Sequence, residues 1–204
     1  MAAPANKSLK DLNGKWLMNK TLSDSPEAVL ALQGIGWMTR KAVGLATVTQ
    51  HITQQGPSEE NPSGPAVPLI TVEQTATGGI KGTTENRTLD WTYRAHSDWL
   101  FGEMQAKSRF TTFKKIAEES AGKTPEEADA KFLSEGWLPE TLDGEVVESF
   151  VDNEKGKWTA WQIWGFAEPK EKKGERWFTR KFVVRRKDKD EAVKVTMAYE
   201  WLEG

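Results

Sequence analysis

The residues best suited to proton chemistry lie close together in this sequence: Tyr93, Arg94, His96 and Asp98, with Glu103 a turn further on. An imidazole with carboxylates nearby is suited to moving a proton near neutral pH, so His96 and Glu103 are candidate catalytic residues. Glu103 and Gln105 alternate with Met104, and Asp90 sits beside Trp91, so these polar side chains can face an apolar interior. A carboxyl placed there has a raised pKa, because burial penalises its charged form, and this suits an acid/base step. The plainer reading makes His96-Ser97-Asp98 a polar hairpin between two strands, with the flanking faces in water.

Other chemistries find no support. The chain has no cysteine, which excludes disulfides, thiolate metal sites and cysteine nucleophiles and fits a reducing compartment. Two histidines and no ligand spacing give no zinc site. Gly34 and Gly36 fall in a helical stretch and do not follow a strand, so they form no phosphate cradle. No hydrolase, P-loop or dinucleotide motif is present, and no cofactor is implied. A net charge of −2 from 28 basic and 30 acidic side chains suggests no nucleic-acid surface. No apolar run approaches the roughly 18 residues that cross a bilayer. Residues 1–10 lack a hydrophobic stretch with a cleavage site, so the expected location is cytoplasmic. Ten tryptophans mark either a large core or an aromatic cavity.

The elements that must position these residues are mostly strands, within an expected single domain over residues 1–204. Residues 12–24 begin with a short strand, Leu12 to Met18. Ser25-Pro26-Glu27 opens a helical stretch over 25–46, which Gly34 and Gly36 divide into two short helices. Its apolar positions Val29, Leu32, Ile35, Met38 and Val43 are the expected buried face. Beyond Ala46 the period becomes two, with strands expected at Val48–Gln54, Leu69–Thr77, Arg87–Ala95, Trp99–Phe113, Glu145–Val151, Trp158–Phe166, Arg176–Arg186 and Ala192–Leu202. Gly78-Gly79 and Asn153 to Gly156 suit hairpin turns. A Pro-rich loop over 56–68 and an insertion over 114–144 interrupt the rhythm. Within the insertion, Thr124-Pro125-Glu126-Glu127 opens a helix running to 135, either a lid over a barrel mouth or a packing helix. Consecutive strands of this kind make a mainly β, up-and-down antiparallel barrel, because closure removes exposed edges.

Four segments in order carry a family resemblance: Gly14-Lys15-Trp16, the run Gly34-Ile35-Gly36-Trp37-Met38-Thr39-Arg40-Lys41, Gly156 to Trp164 with its Gln162-Ile163-Trp164 ending, and Val195 to Glu200. Together they resemble fatty-acid-binding proteins, of the lipocalin-like calycin barrels. The resemblance implies a closed barrel of about ten strands, a helix-turn-helix cap and an interior ligand cavity. The Pro-rich loop and the inserted helix are additions to it. The family's aromatic-acidic pair after the first strand is missing, and three strands are expected between Trp164 and Met197 where one, Arg176–Arg186, is legible.

Alternation places Val193, Val195, Met197, Tyr199 and Trp201 on the buried face of the last strand. The resemblance turns Trp158, Ala160, Gln162 and Trp164 inward and gives Tyr199 the family's ligand-holding tyrosine position. Met197, however, stands where an anchoring arginine is expected. Arg180, on one face with Phe178, Phe182 and Val184, is either its replacement or an edge residue snorkelling to water. The candidate ligand-binding residues are therefore Trp91, Tyr93, Trp158, Gln162, Trp164, Phe178, Arg180, Val195, Met197 and Tyr199. The expected function is binding of a hydrophobic small molecule inside an aromatic-rich cavity, as a carrier or binding protein. The alternative is a cofactor-independent isomerase or cyclase acting on an apolar intermediate in the same cavity.

Overall fold

The computed structural model describes residues 1–56, 65–78, 80 and 82–202. Most of the Pro-rich loop and Gly79 of the expected turn lie outside the described residues.

Alternation along the chain produces ten strands among the described residues: β1 Gly14–Met18, β2 Val48–Gln55, β3 Leu69–Ala76, β4 Thr83–Thr88, β5 Arg94–Asp98, β6 Gly102–Thr111, β7 Val146–Asn153, β8 Trp158–Ala167, β9 Trp177–Arg186 and β10 Ala192–Leu202. They form one antiparallel sheet in the order β4-β3-β2-β1-β10-β9-β8-β7-β6-β5. The sheet curls into a nearly closed barrel. β4 and β5 do not pair; beside the gap between them, Trp91 N–H donates to Ser108 O at 2.9 Å and Asp90 bridges to Arg109.

Two expected strands are corrected here. Arg87–Ala95 is not one strand: β4 ends at Thr88, and β5 begins only at Arg94. Trp99–Phe113 loses both ends. His96-Ser97-Asp98 belongs to β5 and is not a hairpin, because Asp98 Oδ1 accepts the Leu100 and Phe101 N–H groups at 2.8 and 2.7 Å and starts the turn there. Gly102 completes that turn at φ +69°, a conformation glycine adopts freely. Between β8 and β10 there is one strand, β9, as alternation indicated and the resemblance did not.

The helical stretch becomes α1 Glu27–Leu32 and α2 Trp37–Leu45, with Gly34 at φ +83° between them. α1 buries Val29, Leu30 and Leu32. α2 buries nothing, and Met38, expected in the core, is 77% exposed. Two short helices meeting at a turn cannot share one apolar stripe against the barrel.

The insertion holds three helices: α3 Phe113–Ser120, α4 Glu126–Ser134 and α5 Pro139–Leu142. It is a buttress and not a lid. Leu133 and Trp137 share one core with Ile163 and Val183, residues of β8 and β9 that alternate with the inward-facing Gln162 and Phe182. Lys181 Nζ donates to Phe132 O and Glu135 O at 2.7 and 2.8 Å, and Arg185 pairs with Asp129 at 2.9 Å. Gly165 permits this contact, since a Cβ there would lie 2.5 Å from Thr141 Cγ2 and 2.8 Å from the Trp137 ring.

Inside the barrel, the half away from α1 is solid. Trp16, Trp164, Phe166 and Phe178 are fully buried there, and Phe178 lies 5.0 Å from Trp16, 5.9 Å from Trp164 and 5.4 Å from Tyr199 by ring centroids. Side chains of this size contribute about 1.5–3 kcal/mol each when buried, provided their N–H groups are satisfied. Trp16 Nε1 donates to Leu12 O at 2.8 Å and Trp164 Nε1 to Gln162 Oε1 at 2.8 Å.

Candidate functional site

The half of the interior beneath α1 is hollow. Its chamber has a volume of about 420 Å³, within the usual size range of ligand pockets. Most of the lining is apolar: Val29 and Leu30 from α1, Met104 from β6, Val151 from β7, Trp158 and Ala160 from β8, Phe182 and Val184 from β9, and Val195 and Met197 from β10. The polar lining is gathered on β2 to β5 and on the floor, as Gln50, Gln74, Glu85, Arg87, His96, Arg180, Gln162 and Tyr199.

These polar groups form two linked sets. On the floor, Gln162 Oε1 accepts from Arg180 Nε and Nη2 at 3.2 and 2.6 Å as well as from Trp164, which locks the guanidinium 4.5 Å above the Trp164 ring. On the wall, Arg87 pairs with Glu85 and donates to Ser149 Oγ, while Gln74 Nε2 donates to Glu85 Oε1 at 3.0 Å. Burial alone would raise the Glu85 pKa, but the Arg87 and Arg180 guanidiniums outweigh it and hold the carboxyl below its ordinary value. Burial lowers the Arg180 pKa and raises that of Tyr199, whose oxygen accepts from Gln50 Nε2 at 3.4 Å. Glu85 thus faces two guanidiniums, Arg87 and Arg180.

Four buried side-chain polar atoms have no hydrogen-bond partner among the described residues: Gln50 Oε1, Arg87 Nε, His96 Nε2 and Thr111 Oγ1. The first three belong to residues that line the chamber. Buried polar groups are nearly always satisfied, so three such atoms on residues that line one cavity mark it as a candidate place for a hydrogen-bonding molecule. Together they offer an acceptor, a donor and an imidazole nitrogen.

Of the residues singled out in the sequence, Trp158, Gln162, Arg180, Val195, Met197, Tyr199 and His96 line the chamber. Trp164 and Phe178 lie beneath its floor, in the solid half. Trp91 and Tyr93 stand outside, beside the β4–β5 gap, where Lys107 Nζ lies 4.2 and 4.6 Å over their rings. Glu103 is exposed, because on β6 it is Met104, Ala106 and Ser108 that take the inward positions. Asp90 is held outside by Arg94 at 2.6 Å. His96 Nε2 is 3.7 Å from Asp98 Oδ2, whose other oxygen serves the turn.

Sequence reasoning did not single out Gln50, Gln74, Glu85 and Arg87. Gln50 lies between Val48 and Ile52 at period two, the same signal that pointed to Arg180. Glu85 and Arg87 belong to β4, Thr-Thr-Glu-Asn-Arg-Thr, which has no apolar residue to mark its inner face.

No protein-family model matches the chain. The fold is that of fatty-acid-binding proteins. The Schistosoma mansoni fatty acid binding protein in complex with arachidonic acid superposes with a TM-score of 0.54 at 15% identity, over 97% of this chain and 100% of that one. By sequence, the pericyclase pydY of an Acremonium species is 28% identical over 57% of this chain and 60% of its own length. The probable pericyclase scpY of Mollisia scopiformis is 30% identical over 98% of this chain and 95% of its own length. On that similarity, which runs nearly end to end, the chain belongs to the family of the probable pericyclase scpY.

Proposed function

We propose that the chamber binds a flexible, largely apolar conjugated polyene and folds it for a pericyclic ring closure. The observation that carries this reading is an apolar-walled chamber whose lining residues include three with a buried polar atom lacking a hydrogen bond, in a chain of the scpY family. In a pericyclic closure the bonds form and break through one cyclic transition state. Electrons move within the substrate, so the protein needs to supply neither a nucleophile nor a redox partner.

Two contributions remain for the protein. Confining the polyene so that its reacting carbons touch removes in advance the torsional freedom that the free chain loses on closing. A hydrogen-bond donor on a conjugated carbonyl draws electron density from the adjacent alkene and stabilises the charge that shifts in the transition state. One preorganised donor contributes about 3 kcal/mol. Arg180, fixed by Gln162 and Trp164, is suited to this polarisation, with Arg87 Nε as a second donor. Gln50 Oε1 and His96 Nε2 would orient the polar end, and the wall from Val151 to Val195 would hold the hydrocarbon. The absence of cysteine fits action inside the cell.

One observation favours a second reading, carriage without chemistry: the barrel architecture of fatty-acid-binding proteins. The two part in a simple assay. A linear polyene bearing a conjugated carbonyl is incubated with the protein, and loss of its ultraviolet absorbance is compared with background. The pericyclase reading expects acceleration that falls about 100-fold in Arg180→Met, with the milder Gln50→Leu as a second variant. Bound polyene that closes only at the background rate would leave the carrier.

A further inference from the structure

The chamber reaches the surface at a second place besides the cap. Its lining includes Asn86 and Thr88 on β4, Arg94 and Ala95 on β5, and Lys107 on β6. The first two strands do not pair with one another, so no strand ladder closes the barrel between them. This mouth is polar, whereas the end beneath α1 is apolar.

The charges around the gap are unequal in their freedom. Arg94 is gripped by both oxygens of Asp90 at 2.6 Å. Lys107 has no hydrogen bond or ion pair among the described residues; its ammonium lies over the Trp91 and Tyr93 rings, with the Glu148 and Glu119 carboxylates and the Arg109 guanidinium acting on it from farther off. Burial lowers its pKa, as for an ammonium that lacks a full partner. Its platform is unusual in its backbone. Trp91 adopts φ +60°, a left-handed conformation that costs a non-glycine residue about 1–2 kcal/mol. The Trp91 ring is packed 4.0 Å from the Arg109 guanidinium. Strain retained at a cavity mouth points to a use for the group it positions.

The interior is a poor place for a second anion. Arg87 is already paired with Glu85, and a further carboxylate beside Arg180 would meet the Glu85 charge. At the gap, Lys107 is only partly buried and offers an ammonium without an ion pair among the described residues, which a charge-assisted contact can use. We infer that the β4–β5 gap is a binding subsite for an acidic end group of the substrate, a carboxylate or a comparably acidic enol, held by Lys107. This rests on the chamber reading above and extends it. The substrate would lie with its hydrocarbon toward α1 and its acidic end outward, which fixes its direction in the barrel.

The test titrates the protein with parinaric acid, a fluorescent conjugated tetraene acid, and with its methyl ester. The wild type should bind the acid about tenfold more tightly than the ester, as a charge-assisted contact allows, and added salt should shrink that preference. Lys107→Gln should abolish the preference without changing ester binding or the thermal midpoint, and Lys107→Arg should restore it. Equal binding of acid and ester by the wild type overturns the subsite and leaves the chamber reading standing. So does an acid preference that survives Lys107→Gln but vanishes in Arg180→Gln, which would place the head inside. Binding of neither probe removes the chamber reading, and the subsite with it.

Discussion

Strands β8 and β9 pair over ten residues and β7 and β8 over seven, and α3 to α5 cover part of their outer face. Across the barrel, β4 and β5 have six and five residues and leave a gap between them. The covered wall carries large apolar side chains on both faces, and its buried polar residues Gln162, Arg180 and Lys181 are hydrogen-bonded, so packing fixes it from inside and outside. The thin wall carries Glu85 and Arg87, His96 with a ring nitrogen that makes no hydrogen bond, and the gap beside Lys107. The covered wall thus supplies most of the packing and the apolar lining, while the thin wall supplies polar lining with little packing behind it. Polar groups left unsatisfied cost the fold something, and a well-packed wall elsewhere tolerates that cost.

The sharpest way to break this division is to cut the packed half. Phe178→Ala removes the ring that joins Trp16, Trp164 and Tyr199, and should lower stability by about 3–5 kcal/mol in chemical denaturation. A loss of under about 1 kcal/mol would show that the solid half does not dominate. Gly165→Ala acts on the outer layer only. Its methyl would collide with Trp137 and Thr141, and a cost of about 1–3 kcal/mol is expected, with probe binding in the chamber retained.

Changes to the thin wall should register as pH dependence more than as loss of fold. Because the Glu85 carboxyl is held below its ordinary value of 4.5, it adds stability above that pH and loses it as pH falls through its native value. Between about pH 5 and about pH 3, the wild type should therefore lose more stability than Glu85→Gln, and the difference between them should narrow. Parallel acid profiles would show that the carboxylate does not serve the two guanidiniums. The smallest effect belongs to α2. Leu45, 82% exposed, can become Ser with a change within about 0.5 kcal/mol by thermal unfolding.

How far the sequence reveals each wall follows the same division. The covered wall was legible because β8 and β9 are long runs rich in large apolar residues, with the inward face of β8 taken from the family resemblance and Arg180 standing out among apolar neighbours. The Gly34 to Lys41 run marked the cap, although α2 turned its Trp37 and Met38 outward. Reading Arg87–Ala95 as one strand failed because β4 lacks an apolar pattern and Asp90, Trp91 and Thr92 break the pairing. The same weakness hid Glu85 and Arg87. Trp164 and Phe178 illustrate a further limit: alternation tells inside from outside, but not whether the inside is hollow at that level.

The most direct test of the account is to fill the chamber without touching its polar groups. Ala160 faces the cavity between Val151 and Val184, so Ala160→Trp places an indole in the space the polyene would occupy. The measurement is the rate of ring closure of a linear polyene carbonyl compound, followed by loss of absorbance, with folding checked by circular dichroism. Acceleration by the wild type and a background rate with the folded Ala160→Trp variant are expected. Equal rates for the two folded proteins would contradict a reaction inside the barrel.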